Sequence, residues 1–216
     1  MSDIQSNLAG ATNLGYNITS FSGTVASSGV NRIAVVISIG QYANADMFYV
    51  NGVSMSISAS QIRWNGQYYD YQFEQVWTLI APPVGTLTIT GTANSAISCG
   101  AGVMVFNNIN QVSPVKEVQS HSYISHVTFS AADTSGAMVA LGGSGGLPSG
   151  FTQIMIESNF SQGVYKLLPT ATQYVDFNSG ANNSTLAVSF RYVTPIVPNG
   201  NTIDCISVVQ TTTGVY

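Results

Sequence analysis

The chain has 216 residues, of which 45% are hydrophobic and only 6% are charged, and its formal net charge is −4. This apolar content is enough for a core and excludes disorder of the whole chain. The five basic residues are scattered, so we expect no nucleic-acid partner. A surface made mainly of hydroxyl and amide side chains costs little to desolvate and favours assembly with other copies or other proteins.

The start of the chain, residues 1–15, is predicted to be an extended N-terminal arm attached to a single β-sandwich domain that spans residues 1–216. No signal peptide is recognisable, and no apolar run is long enough to cross a membrane. We therefore expect synthesis in the cytoplasm and no membrane partner. Without an export signal, Cys99 and Cys205 are expected to be two buried thiols.

The first clear strand alternates with period two. Ile33, Val35, Ile37 and Ile39 point to one face, and the smaller residues between them point to the other. This pattern predicts a strand that is buried on its main face and mostly covered on its second face.

Turn residues separate the strands that follow. Asn51-Gly52 and Asn65-Gly66 each lie between two β-type runs and predict hairpins, because both turn residues tolerate positive φ. Pro82-Pro83 ends an apolar run, since proline cannot continue a central strand. Asn199-Gly200 marks a third turn of the same type.

Further strands are predicted along the rest of the chain. The stretch from Gly85 to Thr92 alternates cleanly, with Leu87 and Ile89 inward. The other candidates are Val103 to Phe106, Val127 to Phe129, Met138 to Leu141, Leu186 to Phe190 and Ile203 to Val209. About a dozen short strands with almost no helical spacing predict an all-β, antiparallel β-sandwich of jelly-roll type.

No constellation of catalytic or metal-binding residues stands out. His121 and His126 are five residues apart, so on a strand they fall on opposite faces and do not suggest a shared metal. Asp70 and Glu74 are the nearest carboxylate pair, and we interpret them as solvated charges beside a hairpin, with glycoside hydrolysis as the alternative. We expect a non-enzyme with no metal and no cofactor.

Aromatic residues around the Asn65-Gly66 turn are the one candidate contact site. Tyr69, Tyr71 and Phe73 fall on one face of a strand by alternation, and Trp64 lies on the other side of the turn. If exposed, this stripe forms a subunit interface or stacks on sugar rings, and if buried it is core. We favour core or subunit interface over glycan binding.

Segments in order resemble a β-sandwich domain family common in phage virion structural proteins and bacterial surface proteins. They are NRIAVVISI at 31–39, FYVNGVSMS at 48–56, VWTLIAPPVGTLTIT at 76–90 and VMVFNNINQVSPV at 103–115. In the last segment Asn108, Ile109 and Asn110 stand where the family usually has Gly, Val and Asp. The family has no shared catalytic residues to transfer to this chain.

The resemblance implies a structural protein of a virion, and a capsid decoration or head-accessory protein that acts by surface packing is the first expectation. Its implied partners are further copies of itself, for instance in a trimer, and other virion proteins such as the major capsid protein. The alternative expectation is a tail or fibre protein that recognises glycans on the host surface.

Overall fold

The computed structural model describes residues 8–16, 18–41, 45–64, 71–94, 99–121, 126–129, 135–143, 146–157, 161–167, 173–177 and 184–193. These residues form sixteen strands and no helix. Among them there is accordingly no helix long and apolar enough to cross a membrane.

The strands follow one another along the chain without a helical crossover in the described residues. Their bounds are β1 Leu8–Tyr16, β2 Ser20–Ser27, β3 Ile33–Gln41, β4 Ala45–Val50, β5 Val53–Ser54, β6 Ser56–Trp64, β7 Tyr71–Ile80, β8 Gly85–Ala93, β9 Cys99–Phe106, β10 Val115–His121, β11 His126–Phe129, β12 Ser135–Gly143, β13 Thr152–Glu157, β14 Ser161–Leu167, β15 Gln173–Asp176 and β16 Thr185–Arg191.

The strands form four antiparallel sheets that stack as layers. A central sheet has the order β1-β9-β3-β7-β6, and a four-stranded sheet, β2-β8-β4-β5, covers one of its faces. A second five-stranded sheet, β10-β16-β12-β14-β13, covers the other face. The two-stranded ribbon β11-β15 lies on the outer face of this second sheet. Each interface between layers has its own apolar core.

Strand β3 lies in the middle of the central sheet and is buried on both faces. Four alternate residues belong to the core between the central sheet and the second five-stranded sheet: Ile33, Val35, Ile37 and Ile39. Val36, which points to the other face, belongs to the core between the central sheet and the four-stranded sheet. The prediction for this strand is therefore confirmed. A strand covered on both faces reads as a nearly continuous apolar run.

Strand β8 shows the contrasting pattern of a sheet with one open face. Leu87 and Ile89 are buried, and Thr86, Thr88 and Thr90 are exposed. The predicted alternation is confirmed, and it shows that the four-stranded sheet is an outermost layer whose second face is covered by hydroxyl side chains.

The turn signals that fall on described residues are also confirmed. Asn51 and Gly52 have φ values of 49° and 81° and join β4 to β5, where Val50 and Val53 are register partners. Strand β7 ends at Ile80, directly before Ala81-Pro82-Pro83. The Asn65-Gly66 and Asn199-Gly200 turns lie outside the described residues.

The antiparallel β-sandwich class is confirmed, with sixteen described strands in place of about a dozen. The strand orders do not establish a jelly-roll topology. The predicted strands within residues 103–106, 127–129, 138–141 and 186–190 lie in β9, β11, β12 and β16, whereas 203–209 lies outside the described residues. Of the two cysteines, Cys99 is buried, and Cys205 lies outside the described residues.

Strand β1 covers much of the segment for which an arm is predicted. In the structure its residues pair with β9 of the same chain, from Leu8 opposite Phe106 to Tyr16 opposite Gly100. Residues 1–7 lie outside the described part of the chain. The assignment of residues 1–216 to a single domain stays a prediction.

Candidate functional site

The β6–β7 hairpin carries the aromatic residues that the sequence singles out. Trp64 is the register partner of Tyr71, and Ile62 is the register partner of Phe73. Register partners in an antiparallel pair lie on the same face, so these four positions share one face of the central sheet. The sequence placed Tyr71 and Phe73 together correctly, and the pairing adds Trp64 and Ile62 to the same face.

The exposure of this aromatic stripe is described only in part. Phe73 is half-buried, and its partner Ile62 is 61% exposed. Tyr69 and the side chains of Trp64 and Tyr71 lie outside the described residues. The use of the stripe as an interface or as a glycan platform therefore stays a prediction.

Strand β6 itself is the outer edge of the central sheet. Its sequence from Ser56 to Ile62 contains only Ser, Ile, Ala and Gln, and no described strand pairs with its outer side. A bulge lies between Ile57 and Ala59. Ile57 is 50% exposed, so the edge presents two isoleucines to its surroundings.

The carboxylate pair next to this hairpin differs from expectation. Glu74 is fully buried, and the hydroxyl of Ser184 donates a hydrogen bond to its Oε1 at 2.6 Å. The interpretation of Glu74 as a solvated charge is therefore wrong. Alternation along β7 puts Glu74 on the same face as Val76, and Val76 packs against the second five-stranded sheet, the one that contains β12 and β16. Asp70 lies outside the described residues.

The histidines show no shared site in the described part of the chain. His121 ends β10 and is exposed, and His126 begins β11. Within the described ranges no group of three or more His, Cys, Asp or Glu residues is placed to hold a metal ion.

A second surface, which the sequence reasoning missed, lies where three loops meet at one end of the central sheet. These loops are residues 28–32, 81–84 and 107–114, and we call them together the loop end. They leave the same end because Ile33, the first residue of β3, has Ile80 and Phe106 as its register partners.

Backbone hydrogen bonds tie the three loops of the loop end to one another. The amide of Asn108 donates to the carbonyl of Val30 at 3.0 Å, and the amide of Ile109 donates to the carbonyl of Asn31 at 2.9 Å. The amide of Ala81 donates to the carbonyl of Arg32 at 2.9 Å. The β2–β3 loop is thus bonded to both of its neighbours.

The loop end also holds three residues in the left-handed region of φ. Asn31, Ala81 and Asn108 have φ values of 49°, 52° and 57°. A non-glycine residue is uncommon in this region, and for alanine the conformation persists only where the surrounding contacts impose it. The loop end is therefore a strongly constrained backbone.

Three valines project from this constrained backbone. Val30 is 50% exposed, Val84 is 66% exposed and Val112 is 94% exposed. Asn110 fixes the last of them, because its Oδ1 accepts hydrogen bonds from the amides of Val112 and Ser113, both at 2.9 Å. Each valine follows turn-type residues, which is the signal in the sequence that could have indicated this surface.

The only charged residue in the three loops is Arg32, and its guanidinium is bonded internally. Its Nε donates to the carbonyl oxygen of Pro82 at 2.9 Å, and a second guanidinium nitrogen donates to the carbonyl oxygen of Gly29. The side chain is half-buried. The loop end therefore presents three exposed valines, together with exposed Ser28 and Ser113, on a hydrogen-bonded backbone. Its one positive charge is hydrogen-bonded to carbonyl oxygens of the same loops.

A shallow cleft of about 260 Å³ lies between β1 and β13, lined by Asn13, Gln153, Ile154 and Met155. The amide nitrogen of Gln153 donates to Oε1 of Gln162 at 2.9 Å. The amide of Gln153 is thus already bonded to a neighbouring side chain, and the cleft has no charged residue among those that line it.

No protein-family model, curated protein or solved structure matches this chain. The resemblance to the virion and surface-protein family therefore has only the sequence segments quoted above behind it. The function has to be argued from the two surfaces that the structure describes.

Proposed function

We propose that this chain is a phage virion structural protein that decorates the capsid or head and acts by surface packing. The observation that carries the proposal is the loop end, where exposed Val30, Val84 and Val112 project from loops that are hydrogen-bonded to one another. The proposed partners are the major capsid protein and further copies of the chain.

A constrained surface with exposed valines suits binding to a regular protein lattice. Ordering a flexible loop on binding costs free energy, and the hydrogen bonds of the loop end have already ordered its loops before a partner arrives. Burial of exposed valines then contributes about 25 cal/mol for each Å² of apolar surface removed from water. The low charge of the chain supports the same role, because few ions have to be desolvated when many copies cover a particle.

Particle binding by two variants of the loop end tests the proposal. Val84→Asp and Val112→Asp each place a carboxylate on the proposed contact surface, where burial of an unpaired charge opposes binding. Purified particles that lack the protein are mixed with each variant and sedimented. We expect the wild-type chain to sediment with the particles and both variants to stay in the supernatant.

Thr92→Asp is the matched control, because Thr92 is exposed on β8 in the four-stranded sheet and lies eight residues beyond Val84. This variant is expected to sediment with the particles as the wild-type chain does. If both valine variants sediment like the control, the loop end does not attach the protein. If the wild-type chain does not bind particles from any stage of assembly, the proposed function is wrong.

The glycan alternative predicts a different result with the same proteins. A receptor-binding protein would bind host cells or purified surface glycans in the absence of particles, and Tyr69→Ala or Tyr71→Ala would abolish that binding. Release of reducing ends from a host polysaccharide would indicate an enzyme. Either result, together with no binding to particles, would contradict the proposed role.

A further inference from the structure

Strand β6 differs from the other sheet edges of the described chain. The edge strand β10 carries Lys116 and Glu117, and the edge strand β13 ends at Glu157. The edge β5 is only two residues long. Charges, short lengths and bulges are common ways to prevent an exposed edge from pairing with another chain, and of these β6 has the bulge between Ile57 and Ala59. Strand β6 has nine residues, with Arg63 next to its last residue and no charge in the seven residues from Ser56 to Ile62.

Strands β1 and β2 are edges by strand order, but they lie against each other. The hydroxyl of Thr12 in β1 donates to the carbonyl of Thr24 in β2 at 3.0 Å. A β-carbon built on Gly10 would lie 2.9 Å from the carbonyl oxygen of Ala26. Among the described strands, β6 is therefore a long edge whose outer side pairs with no other strand. It contacts β10 through the hydrogen bond that the side-chain amide of Gln61 donates to the carbonyl of His121 at 2.9 Å.

The bulge in β6 brings its two exposed isoleucines to one face. Ile57 and Ile62 are five residues apart, which would put them on opposite faces of a regular strand. Ile57 is the register partner of Trp77 and Ile62 is the register partner of Phe73. Trp77 and Phe73 are four residues apart on β7, so both isoleucines lie on the same face because of the extra residue in β6.

Ser60 lies between the two isoleucines on this face. Its register partner is Gln75, which is two residues from both Trp77 and Phe73. Ile57 and Ile62 are therefore equally far from Ser60 along the strand, at about 6.6 Å each. The two exposed isoleucines are therefore placed symmetrically about Ser60.

We propose that the β6 edge pairs with the β6 edge of a second copy of this chain, antiparallel and with a two-fold axis at Ser60. Each Ser60 then lies opposite the other, and Ile57 of each copy lies beside Ile62 of its partner copy. The five-stranded central sheets of the two copies join into one continuous sheet across the axis.

The chemistry of the edge favours a second copy over an unrelated strand. A two-fold axis requires a surface that complements itself, and the equal spacing of Ile57 and Ile62 about Ser60 meets this requirement. In the proposed register Arg63 falls opposite the uncharged Ser56, so no like charges meet. The isoleucines of the pair form two apolar contacts on one face, and such cross-strand pairs are the unit that stabilises a sheet.

A charge exchange tests the register with the full chain in solution. The proposed dimer has two equivalent contacts between Ile57 of one copy and Ile62 of the other. Either single substitution, Ile57→Glu or Ile62→Lys, therefore puts a charge beside an isoleucine at both contacts. We expect the wild-type chain to form dimers in sedimentation equilibrium. The dimer dissociation constant of each single variant is expected to be roughly tenfold or more above that of the wild-type chain.

The variant that combines Ile57→Glu with Ile62→Lys is expected to recover the dimer. The new carboxylate of one copy then lies beside the new ammonium group of the other copy, at both contacts of the pair. The two positions are about 13 Å apart within one chain, which is too far for an ion pair, so the recovery has to come from pairing between copies.

A mixture of the two single variants is expected to form mixed dimers for the same reason. Parallel pairing of the two edges would instead place like charges together, so the combined variant would stay monomeric. That outcome would overturn the antiparallel register.

A cysteine cross-link gives an independent measurement. In the proposed pair the two residues at position 60 have their Cα atoms about 4.5–5.5 Å apart, which is within disulfide range. Ser60→Cys is therefore expected to form a covalent dimer on mild oxidation. Ser56→Cys is the matched control on the same exposed edge, and its two copies would be about 20 Å apart and would not cross-link.

The inference is overturned by a wild-type chain that stays monomeric, or by a dimer that neither the charge changes nor the Ser60→Cys cross-link affects. A further segment of the same chain that occupied the β6 edge would give the monomeric result. These measurements use the purified protein without particles, so they are independent of whether the chain is a virion component.

Discussion

Arg32 and Pro82 are fifty residues apart in the chain, and the Nε of Arg32 donates a hydrogen bond to the carbonyl oxygen of Pro82 at 2.9 Å. The same guanidinium also donates to the carbonyl of Gly29 within its own loop. One side chain therefore joins the β2–β3 loop to the proline turn that ends β7. This arrangement depends on the planar fork of donors that arginine has and lysine lacks.

The first prediction follows from this fork. Arg32→Ala removes both hydrogen bonds and leaves two carbonyl groups without this donor, so we expect the free energy of unfolding to fall by about 2 kcal/mol. Arg32→Lys keeps the charge and a single donor group, and is expected to recover less than half of the loss. Urea unfolding at constant m-value measures both. Equal stability of the lysine variant and the wild-type chain would contradict the role of the fork.

The second prediction concerns the close approach of Gly91 to Phe48. A β-carbon at position 91 would lie 2.3 Å from Cδ1 of the Phe48 ring. That ring is fully buried, with its centroid 5.6 Å from those of Phe21 and Trp77. Gly91→Ala is therefore expected to lower the free energy of unfolding by about 2–3 kcal/mol through overpacking.

A double-mutant cycle checks the cause. Phe48→Leu by itself loses aromatic contacts and is destabilising, but it makes room beside position 91. We expect the cost of Gly91→Ala to be at least about 1 kcal/mol smaller in the Phe48→Leu background than in the wild-type background. Additive costs would show that the clash with the ring is not the reason.

The third prediction concerns the β4–β5 turn. Asn51 has positive φ, and its Oδ1 accepts a hydrogen bond from the amide of Thr88 at 2.7 Å. Asn51→Gly keeps the backbone freedom and loses this bond, whereas Asn51→Ala loses both. We expect the wild-type chain to be the most stable, Asn51→Gly to be less stable and Asn51→Ala to be the least stable in thermal unfolding. The free energy of unfolding should fall by about 1 kcal/mol from the wild type to Asn51→Gly. An alanine variant as stable as the glycine variant would contradict this interpretation.

The fourth prediction concerns the buried carboxyl group of Glu74. Its Oε1 accepts a hydrogen bond from the hydroxyl of Ser184 at 2.6 Å, and both residues are buried. Ser184→Ala removes a donor from a buried carboxyl group, so we expect the free energy of unfolding to fall by about 1–3 kcal/mol. Ser28→Ala, in the β2–β3 loop where the serine is exposed, is the control and should change it by less than about 0.5 kcal/mol.

Glu74→Gln separates the hydrogen bond from the charge. The glutamine oxygen can still accept from Ser184, so in this background we expect Ser184→Ala to remain destabilising by about 1 kcal/mol, the range of a neutral hydrogen bond. If Ser184→Ala has no effect in either background, the hydrogen bond does not contribute to stability.

Much of the local structure could be predicted from the sequence because strand and turn signals are local. The alternation from Ile33 to Ile39 shows a strand with two covered faces, and that of Gly85 to Thr92 shows a strand with one open face. Asn51-Gly52 indicates its hairpin because only a few residue types tolerate two successive positive φ values. Each of these features depends on a few neighbouring residues.

The candidate surfaces depended on contacts between distant parts of the chain. Glu74 looks solvated beside Asp70 in sequence, yet its face of β7 is covered by a sheet formed by residues much later in the chain. The valines of the loop end follow three separate turns, and only the hydrogen bonds between those turns bring them to one end.

The sequence by itself determined that this chain is all-β and antiparallel, because the two-residue period and the turn residues act over a few positions. It also indicated an aromatic stripe of Tyr69, Tyr71 and Phe73, and the pairing of β6 with β7 adds Trp64 to the face of Tyr71 and Phe73. Only the tertiary structure decided the stacking of four sheets, the burial of Glu74 and the bulge that aligns Ile57 with Ile62. Strand order and register arise from packing between residues far apart in the chain, and no local pattern encodes them.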